Sequence, residues 1–126
     1  MGFVLVFFGA GIGGALRHAF NLLSLRFGWT GFPTATLTVN VLGSFCMGLL
    51  TALFAQRVTV SQEVRLLLTT GVLGGFTTFS TFALDLSVLW ERGKPVIALA
   101  YGIASVVLSV GALFLALSLF RSGGKL

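Results

Sequence analysis

Four long stretches of this chain carry few charged side chains, and this feature limits its possible folds more than any other. The first stretch, Phe3 to Leu25, already exceeds the roughly 20 residues that cross about 30 Å of hydrocarbon. Only 9% of the 126 residues are charged and 56% are hydrophobic, whereas a soluble domain carries about 25% charged residues. The sequence therefore predicts an integral membrane protein.

Turn-forming residues divide the chain into four predicted transmembrane helices. These helices span about residues 3–25, 33–56, 62–91 and 95–120. Gly28, Gly31 and Pro33 separate the first helix from the second. Ser61 suits the N-cap of the third helix, and Pro95 suits the first turn of the fourth. Because the connections are short, consecutive helices must run antiparallel, and we expect a single all-α transmembrane domain over residues 1–126.

The basic side chains are isolated and lie near the predicted helix ends, which fits anchoring at lipid headgroups rather than binding of nucleic acid. One membrane face receives Arg57, Arg65, Arg121 and Lys125, and the other receives Arg26, Arg92 and Lys94. This nearly even distribution gives almost no preferred orientation under the positive-inside rule. A chain that inserts both ways can form an antiparallel, dual-topology homodimer, although small proteins also reach balanced counts by chance.

The glycines of the first helix match two different patterns. Residues 9–14 fit the G-x-G-x-x-G pattern, but the first acidic residue is Glu63, far beyond the roughly 20 positions that a dinucleotide-binding fold allows. Small residues four positions apart favour close helix packing instead. Such pairs are Gly9/Gly13, Ala10/Gly14 and Ser44/Gly48. Because four short helices cannot easily enclose a solvated pathway, we expect the chain to oligomerise.

Side chains that perform catalysis are scarce. The chain has one histidine, His18, one cysteine, Cys46, and three acidic residues. Metal-dependent and nucleophilic catalysis both need clusters of such groups. We therefore expect no enzyme and no catalytic residues.

Residues 71–82 interrupt the apolar pattern of the third helix. They include three glycines, four hydroxyl side chains and three phenylalanines. Irregular backbone at membrane depth is tolerated only where protein or a wet cavity satisfies its polar groups. The segment therefore predicts that the third helix is broken near its middle, at an ion site or a pore lining.

Two other helices carry a polar stripe with a spacing of four residues, which places its members on one helix face. The stripe of the second helix contains Thr36, Asn40 and Ser44, and that of the fourth contains Tyr101, Ser105 and Ser109. Taken alone, Asn40 is explained better by a hydrogen bond between helices, worth about 1 kcal/mol in membranes. Two stripes and an interrupted helix together favour a continuous polar path.

Aromatic and ionisable residues supply further candidates. Phe79 and Phe82 project from nearly one helix face, and their ring edges can contact an anion, although a core or lipid-facing pair is the commoner role of phenylalanine. Arg17 and Asp85 lie within predicted membrane segments, where an ionisable group pairs or faces a wet cavity. The residues alone leave structural and functional roles open for both.

The segments Thr36–Asn40 (TLTVN) and Gly74–Phe82 (GGFTTFSTF) resemble the signature of the Fluc fluoride channels, also called the CrcB family. The similarity runs over the whole chain, with an arginine in the first span and a tyrosine-serine-serine stripe in the last. The chain departs from the usual pattern at three positions. Asp85 stands where many members carry glutamate, His18 where an aromatic residue is common, and Phe76 where leucine is frequent.

The resemblance implies a dual-topology homodimer that exports fluoride passively across the bacterial inner membrane and so relieves fluoride toxicity. It implies a structural Na⁺ at the dimer centre, held by the backbone carbonyls of Gly74 and Thr77. In the implied fluoride pathway, Asn40 donates to the ion, and the ring edges of Phe79 and Phe82 contact it. The polar track consists of Tyr101, Ser105 and Ser109, and Arg17 lies at the vestibule.

Two other functions compete with a fluoride channel. A small dual-topology multidrug exporter needs a deep carboxylate, typically in the first helix, but that helix carries Arg17 and no acid, while Asp85 lies late in the third. A non-transporting membrane subunit would use Asn40 and the glycines only to hold helices together.

Overall fold

The computed structural model describes residues 1–27, 32–56 and 60–121, and the regular structure in these residues is helical. The elements are α1 (Gly2–Arg26), α2 (Thr34–Ala55), α3 (Gln62–Leu66), a π-helical segment (Leu67–Leu73), α4 (Gly74–Phe76), α5 (Ser80–Glu91) and α6 (Pro95–Phe120). Four spans are long and apolar enough to cross a membrane: Gly2–Arg26, Thr34–Ala55, Gln62–Glu91 and Pro95–Phe120. The prediction of an all-α chain with four such spans is therefore confirmed.

Two of the predicted helix starts are confirmed by their local geometry. The Ser61 hydroxyl accepts a hydrogen bond from the Val64 amide at 3.2 Å, which satisfies one of the free amides of the first turn. Pro95 begins α6, where its missing N–H leaves no helical hydrogen bond unmade. Other residues used in the sequence analysis lie outside the described residues. These are Gly28, Gly31, Arg57 and Lys125.

Helix α1 packs against the first half of the third span through glycines on both sides. A Cβ atom built on Gly13 would lie 2.0 Å from the Val72 carbonyl oxygen, and one on Gly75 would lie 2.4 Å from the Ala10 carbonyl oxygen. Only glycine permits the two backbones to approach so closely. By contrast, a Cβ atom on Gly14 would meet no atom within 4 Å. The first-helix glycines that face the third span therefore hold two helices of the same chain together.

Helix α2 packs along α6. At one end of this pair, a Cβ atom on Gly48 would lie 2.5 Å from the Leu113 carbonyl oxygen. At the other end, Phe82, Leu89, Ala98 and Tyr101 form a buried cluster. The outer helix faces remain apolar, with Phe3 95% exposed. Many large apolar side chains facing outward suit a lipid environment better than water.

The backbone of the third span leaves helical geometry after α4. Thr77 has φ −83° and ψ 158°, which is extended backbone, and α5 begins three residues later at Ser80. The amide of Thr81 donates to the Thr78 hydroxyl at 3.2 Å. In a continuous α-helix that amide would bond the Thr77 carbonyl. Residues 77–79 therefore place polar backbone groups in the middle of an apolar span.

Candidate functional site

A cavity of about 370 Å³ lies between α2, α6 and the segment that joins α4 to α5. Its polar lining comes from amide and hydroxyl side chains, and none of its lining residues is charged. The lining residues are Asn40, Gly43, Ser44, Met47, Leu73, Thr77, Thr78, Phe79, Phe82, Ser105, Val106, Ser109, Val110 and Leu113. The cavity therefore offers neutral hydrogen-bond donors in an apolar wall.

Asn40 connects α2 to the irregular segment by two hydrogen bonds. Its Nδ2 donates to the Thr78 carbonyl at 2.9 Å, and its Oδ1 accepts from the Thr78 amide at 2.8 Å. Both backbone groups of Thr78 are thus satisfied in the absence of helical partners. The Asn40 amide nitrogen carries a second hydrogen, and the residue lines the cavity. Asn40 therefore holds the backbone in place, and its second amide hydrogen is not used by these two bonds.

The two serines of the α6 stripe lie along the same cavity. Ser105 is 7% exposed, and its Oγ has no hydrogen-bond partner among the described residues. A buried hydroxyl that is left unsatisfied costs about 1–3 kcal/mol. Ser109 is partly buried one helical turn further along the cavity. An unsatisfied hydroxyl that faces a cavity is suited to bind a small polar species there.

Two aromatic rings form part of the cavity wall. The Phe79 and Phe82 ring centroids lie 5.5 Å apart, so the two side chains are neighbours, although Phe79 precedes α5. Phe82 is buried, whereas Phe79 is 77% exposed. Behind Phe82, the ring of Tyr101 lies 5.1 Å away. Tyr101 is fully buried, and its hydroxyl donates to Asp85 Oδ2 at 3.1 Å.

Arg17 lies on the other side of the third span. Its Nε donates to the Gly75 carbonyl oxygen at 3.3 Å, and it does not line the cavity. Gly74 is exposed and also lies outside the lining. Thr77 does line the cavity, and its hydroxyl donates to the Leu73 carbonyl oxygen at 3.0 Å.

The structure brings most of the predicted site residues together and separates the others. Those that share the cavity are Asn40, Thr77, Phe79, Phe82, Ser105 and Ser109, and those outside its lining are Arg17, Gly74 and Tyr101. Two contacting residues are not predicted from the sequence: Thr78, the backbone partner of Asn40, and Gly43. A Cβ atom on Gly43 would lie 2.2 Å from the Thr77 Cγ2 atom. The position of Gly43 near Asn40 on α2 is the only sequence signal that pointed to this contact.

Comparison with known proteins identifies relatives over nearly the whole chain. Residues 4–117 match the family model described as CrcB-like protein, Camphor Resistance (CrcB). The fluoride-specific ion channel FluC of Granulibacter bethesdensis is 55% identical over 122 residues, which cover 97% of this chain and 96% of the relative. That of Chelativorans sp. is 54% identical over 119 residues, which cover 94% and 95%. The relatives are ion channels by name, and ion channels are not enzymes, so the prediction of a non-enzymatic protein is confirmed. With a family match from residue 4 to residue 117 and relatives at this identity, the chain belongs to the CrcB-like family of multi-pass membrane proteins.

Proposed function

We propose that this protein is a fluoride-selective channel through which fluoride leaves the cell passively across the bacterial inner membrane. The observation that carries the proposal is the composition of the cavity, where the Asn40 amide and the Ser105 and Ser109 hydroxyls meet the Phe79 and Phe82 rings. Relatives at about half identity are named fluoride-specific ion channels, which supports the same assignment.

The chemistry of fluoride explains why such a lining suits it. Fluoride is small and tightly hydrated, so a selective pore must replace its water with close donors. A channel must also release the ion, so binding in the pathway has to stay weak. Neutral N–H and O–H donors and the positive edges of aromatic rings meet both requirements. A fixed cation in the same wall would hold the anion too tightly.

We infer that the working channel is an antiparallel homodimer. Phe79 lines the cavity and is 77% exposed, and a second copy would cover this ring and enclose the pathway. The nearly even distribution of basic residues between the two membrane faces allows both orientations of the chain. In this arrangement each dimer contains two pathways that run in opposite directions.

The irregular segment also fits a structural Na⁺ at the centre of that dimer. The amides that would bond the Gly74 and Thr77 carbonyls in a continuous helix bond side chains instead. The Thr78 amide donates to Asn40 Oδ1, and the Thr81 amide donates to the Thr78 hydroxyl. Unwound backbone carbonyls in a broken membrane helix are suited to coordinate Na⁺. Two carbonyls from one chain cannot surround the ion, so the Gly74 and Thr77 carbonyls of a second copy would complete the site. A bound Na⁺ would supply diffuse positive potential between the pathways.

The proposal is tested by fluoride efflux from liposomes that contain the purified protein, measured with a fluoride-selective electrode. We expect rapid release by the wild-type protein and its loss when both Phe79 and Phe82 are replaced by isoleucine. The control is Phe7→Ile, because Phe7 is an exposed ring on α1 and its replacement should leave efflux unchanged. A folded protein that releases no more fluoride than empty liposomes would contradict the channel.

The dimer and the ion have separate tests. Exchange of Na⁺ for the bulky cation N-methyl-D-glucamine on both sides should abolish efflux, and return of Na⁺ should restore it. Cross-linking in membranes should capture pairs of chains in opposite orientations. Full efflux without Na⁺ would remove the ion from the proposal and leave the channel standing.

A further inference from the structure

A second polar cavity lies at the membrane face where α5 ends and α6 begins. Its volume is about 220 Å³, and basic side chains line it, whereas the main cavity has no charged lining residue. Arg92 and Lys94 line it, together with Asp85 and a wall of apolar residues. Two cations therefore face a single carboxylate, and the potential of this cavity is positive.

The turn between α5 and α6 brings both cations to this cavity. Gly93 has φ +76°, which is a left-handed conformation that glycine adopts without strain. The Gly93 amide donates to the Trp90 carbonyl at 3.1 Å, and the Lys94 amide donates to the Leu89 carbonyl at 3.0 Å. These bonds define a Schellman motif, which fixes the path of the chain at the end of a helix. The residues on either side of Gly93 are thereby held at one cavity.

The cations are not used by neighbouring carboxylates. Over residues 1–27, 32–56 and 60–121, neither Arg92 nor Lys94 forms an ion pair. Glu91 is exposed and does not line the cavity. The Asp85 carboxylate is already hydrogen-bonded by the Tyr101 hydroxyl at 3.1 Å. Two exposed cations that form no ion pair with the described residues can attract a dissolved anion.

A short series of contacts connects this cavity to the main one. Asp85 lines the basic cavity and is bonded to Tyr101. The Tyr101 ring lies 5.1 Å from that of Phe82, and Phe82 lines the main cavity. The basic cavity is therefore located at one end of a series of contacts that reaches the main cavity at Phe82.

We propose that this basic cavity, formed around Asp85, Arg92 and Lys94, is a site that captures small inorganic anions from water at the mouth of the pathway. The proposal rests on the function proposed above. Arg92 and Lys94 raise the local anion concentration, and the single negative charge of Asp85 keeps the anion from remaining bound. Selectivity stays with the neutral donors of the main cavity, so chloride and fluoride should both enter this site.

The electrostatic part of the proposal can be measured without any transport. A cysteine introduced at Val88, which lines the basic cavity, is placed in a Cys46→Ala background because Cys46 is the only native thiol. Its rates of modification by a negatively charged and a positively charged methanethiosulfonate reagent are compared with those of a free thiol. We expect the negative reagent to be favoured by about threefold at low ionic strength. The preference should vanish in the R92Q/K94Q variant.

Two controls separate the site from the overall charge of the protein. Arg26→Gln removes one cation near the same membrane face but outside this cavity, and it should leave the preference unchanged. Arg92→Lys keeps the charge and should also retain it. A preference that is absent in the wild-type background, or that survives R92Q/K94Q, would overturn the proposal.

Fluoride efflux then connects the site to function. R92Q/K94Q should slow efflux by about threefold near 10 mM ionic strength and much less near 1 M, where the screening length falls from about 30 Å to about 3 Å. Equal efflux from variant and wild type at low salt would show that the cations capture no anion for the pathway. If the wild type itself releases no fluoride, the proposed channel fails, while the modification rates still report on the basic cavity.

Discussion

The two sides of the third span are built in opposite ways. On one side, α1 lies so close to the backbone of residues 71–75 that a single Cβ atom on Gly13 would lie 2.0 Å from a carbonyl oxygen. On the other side, α2 and α6 leave a cavity of about 370 Å³ against residues 77–79. The same span is therefore fixed against one neighbour and open towards two others.

The two sides of the third span also differ in how their polar groups are used. On the closed side, Arg17 donates to the Gly75 carbonyl. On the open side, Asn40 holds both backbone groups of Thr78, but Ser105 has no partner among the described residues. The closed side therefore supports the irregular backbone. The open side keeps a hydrogen-bonding group available for a bound species.

The largest expected effect comes from opening the closed side. Gly13→Ala places a methyl group where it would overlap the Val72 carbonyl, so α1 must move away. We expect the free energy of unfolding to fall by about 3 kcal/mol, with loss of fluoride efflux. Thermal unfolding in detergent measures the first and liposome efflux the second. Gly14→Ala is the matched control because a Cβ atom there meets nothing within 4 Å. Equal stability of the two variants would contradict the close packing.

The second-largest effect is expected when the irregular segment on the open side loses its hydrogen bonds to α2. Asn40→Ala removes both hydrogen bonds to Thr78, each worth about 1 kcal/mol, and also removes a donor from the cavity. Efflux should fall at least about tenfold, with a smaller loss of stability than in Gly13→Ala. Thr51→Ala is the control, because the Thr51 hydroxyl is exposed and bonds only its own helix at Met47. Wild-type efflux from Asn40→Ala would remove this residue from the pathway.

Ser105→Ala tests whether the cavity is kept for function at the expense of stability. The change removes a buried hydroxyl that has no partner among the described residues, so the free energy of unfolding should rise by about 1 kcal/mol. Efflux should nevertheless fall, because a donor to the ion is lost. Ser87→Ala, which removes an exposed hydroxyl bonded to Leu84 at 2.9 Å, should change neither quantity. A Ser105→Ala variant that is less stable and fully active would show that this hydroxyl has a structural role only.

The smallest expected effect is at Arg17. It shows whether this residue supports the backbone or takes part in conduction. Arg17→Gln keeps a donor for the Gly75 carbonyl and removes the charge, so efflux should stay within about twofold of wild type if the hydrogen bond is what matters. Arg17→Leu removes the donor and should lower the thermal midpoint. A loss of efflux in Arg17→Gln as large as that in Asn40→Ala would place the charge in the pathway after all.

The spans could be predicted from the sequence because each depends on local composition. Pro95 and Ser61 marked two helix starts correctly, and the predicted spans match the observed ones to within one residue at each end. The stripe spacing correctly placed Ser105 and Ser109 on one side of α6. Periodicity identifies the face of a helix, and this was sufficient for Asn40, Ser44, Ser105 and Ser109, although Thr36 and Tyr101 of the same stripes lie outside the lining.

Contacts between distant parts of the chain could not be predicted in this way. The hydrogen bond from Arg17 to Gly75 joins residues 58 positions apart, and the bond from Tyr101 to Asp85 depends on how α5 and α6 pack. No local pattern reports which side of the third span an arginine on α1 will face. The π-helical segment was missed as well, because it shifts the hydrogen-bond register without a distinct composition.

The most direct test of the central claim is the ratio of fluoride to chloride efflux from the same preparation of wild-type liposomes in Na⁺. If the cavity binds the ion with neutral amide, hydroxyl and ring-edge donors, the liposomes should release fluoride rapidly. Chloride should leave at a rate close to that of protein-free liposomes. Comparable rates for the two anions would contradict a fluoride-selective pathway, and so would the release of neither.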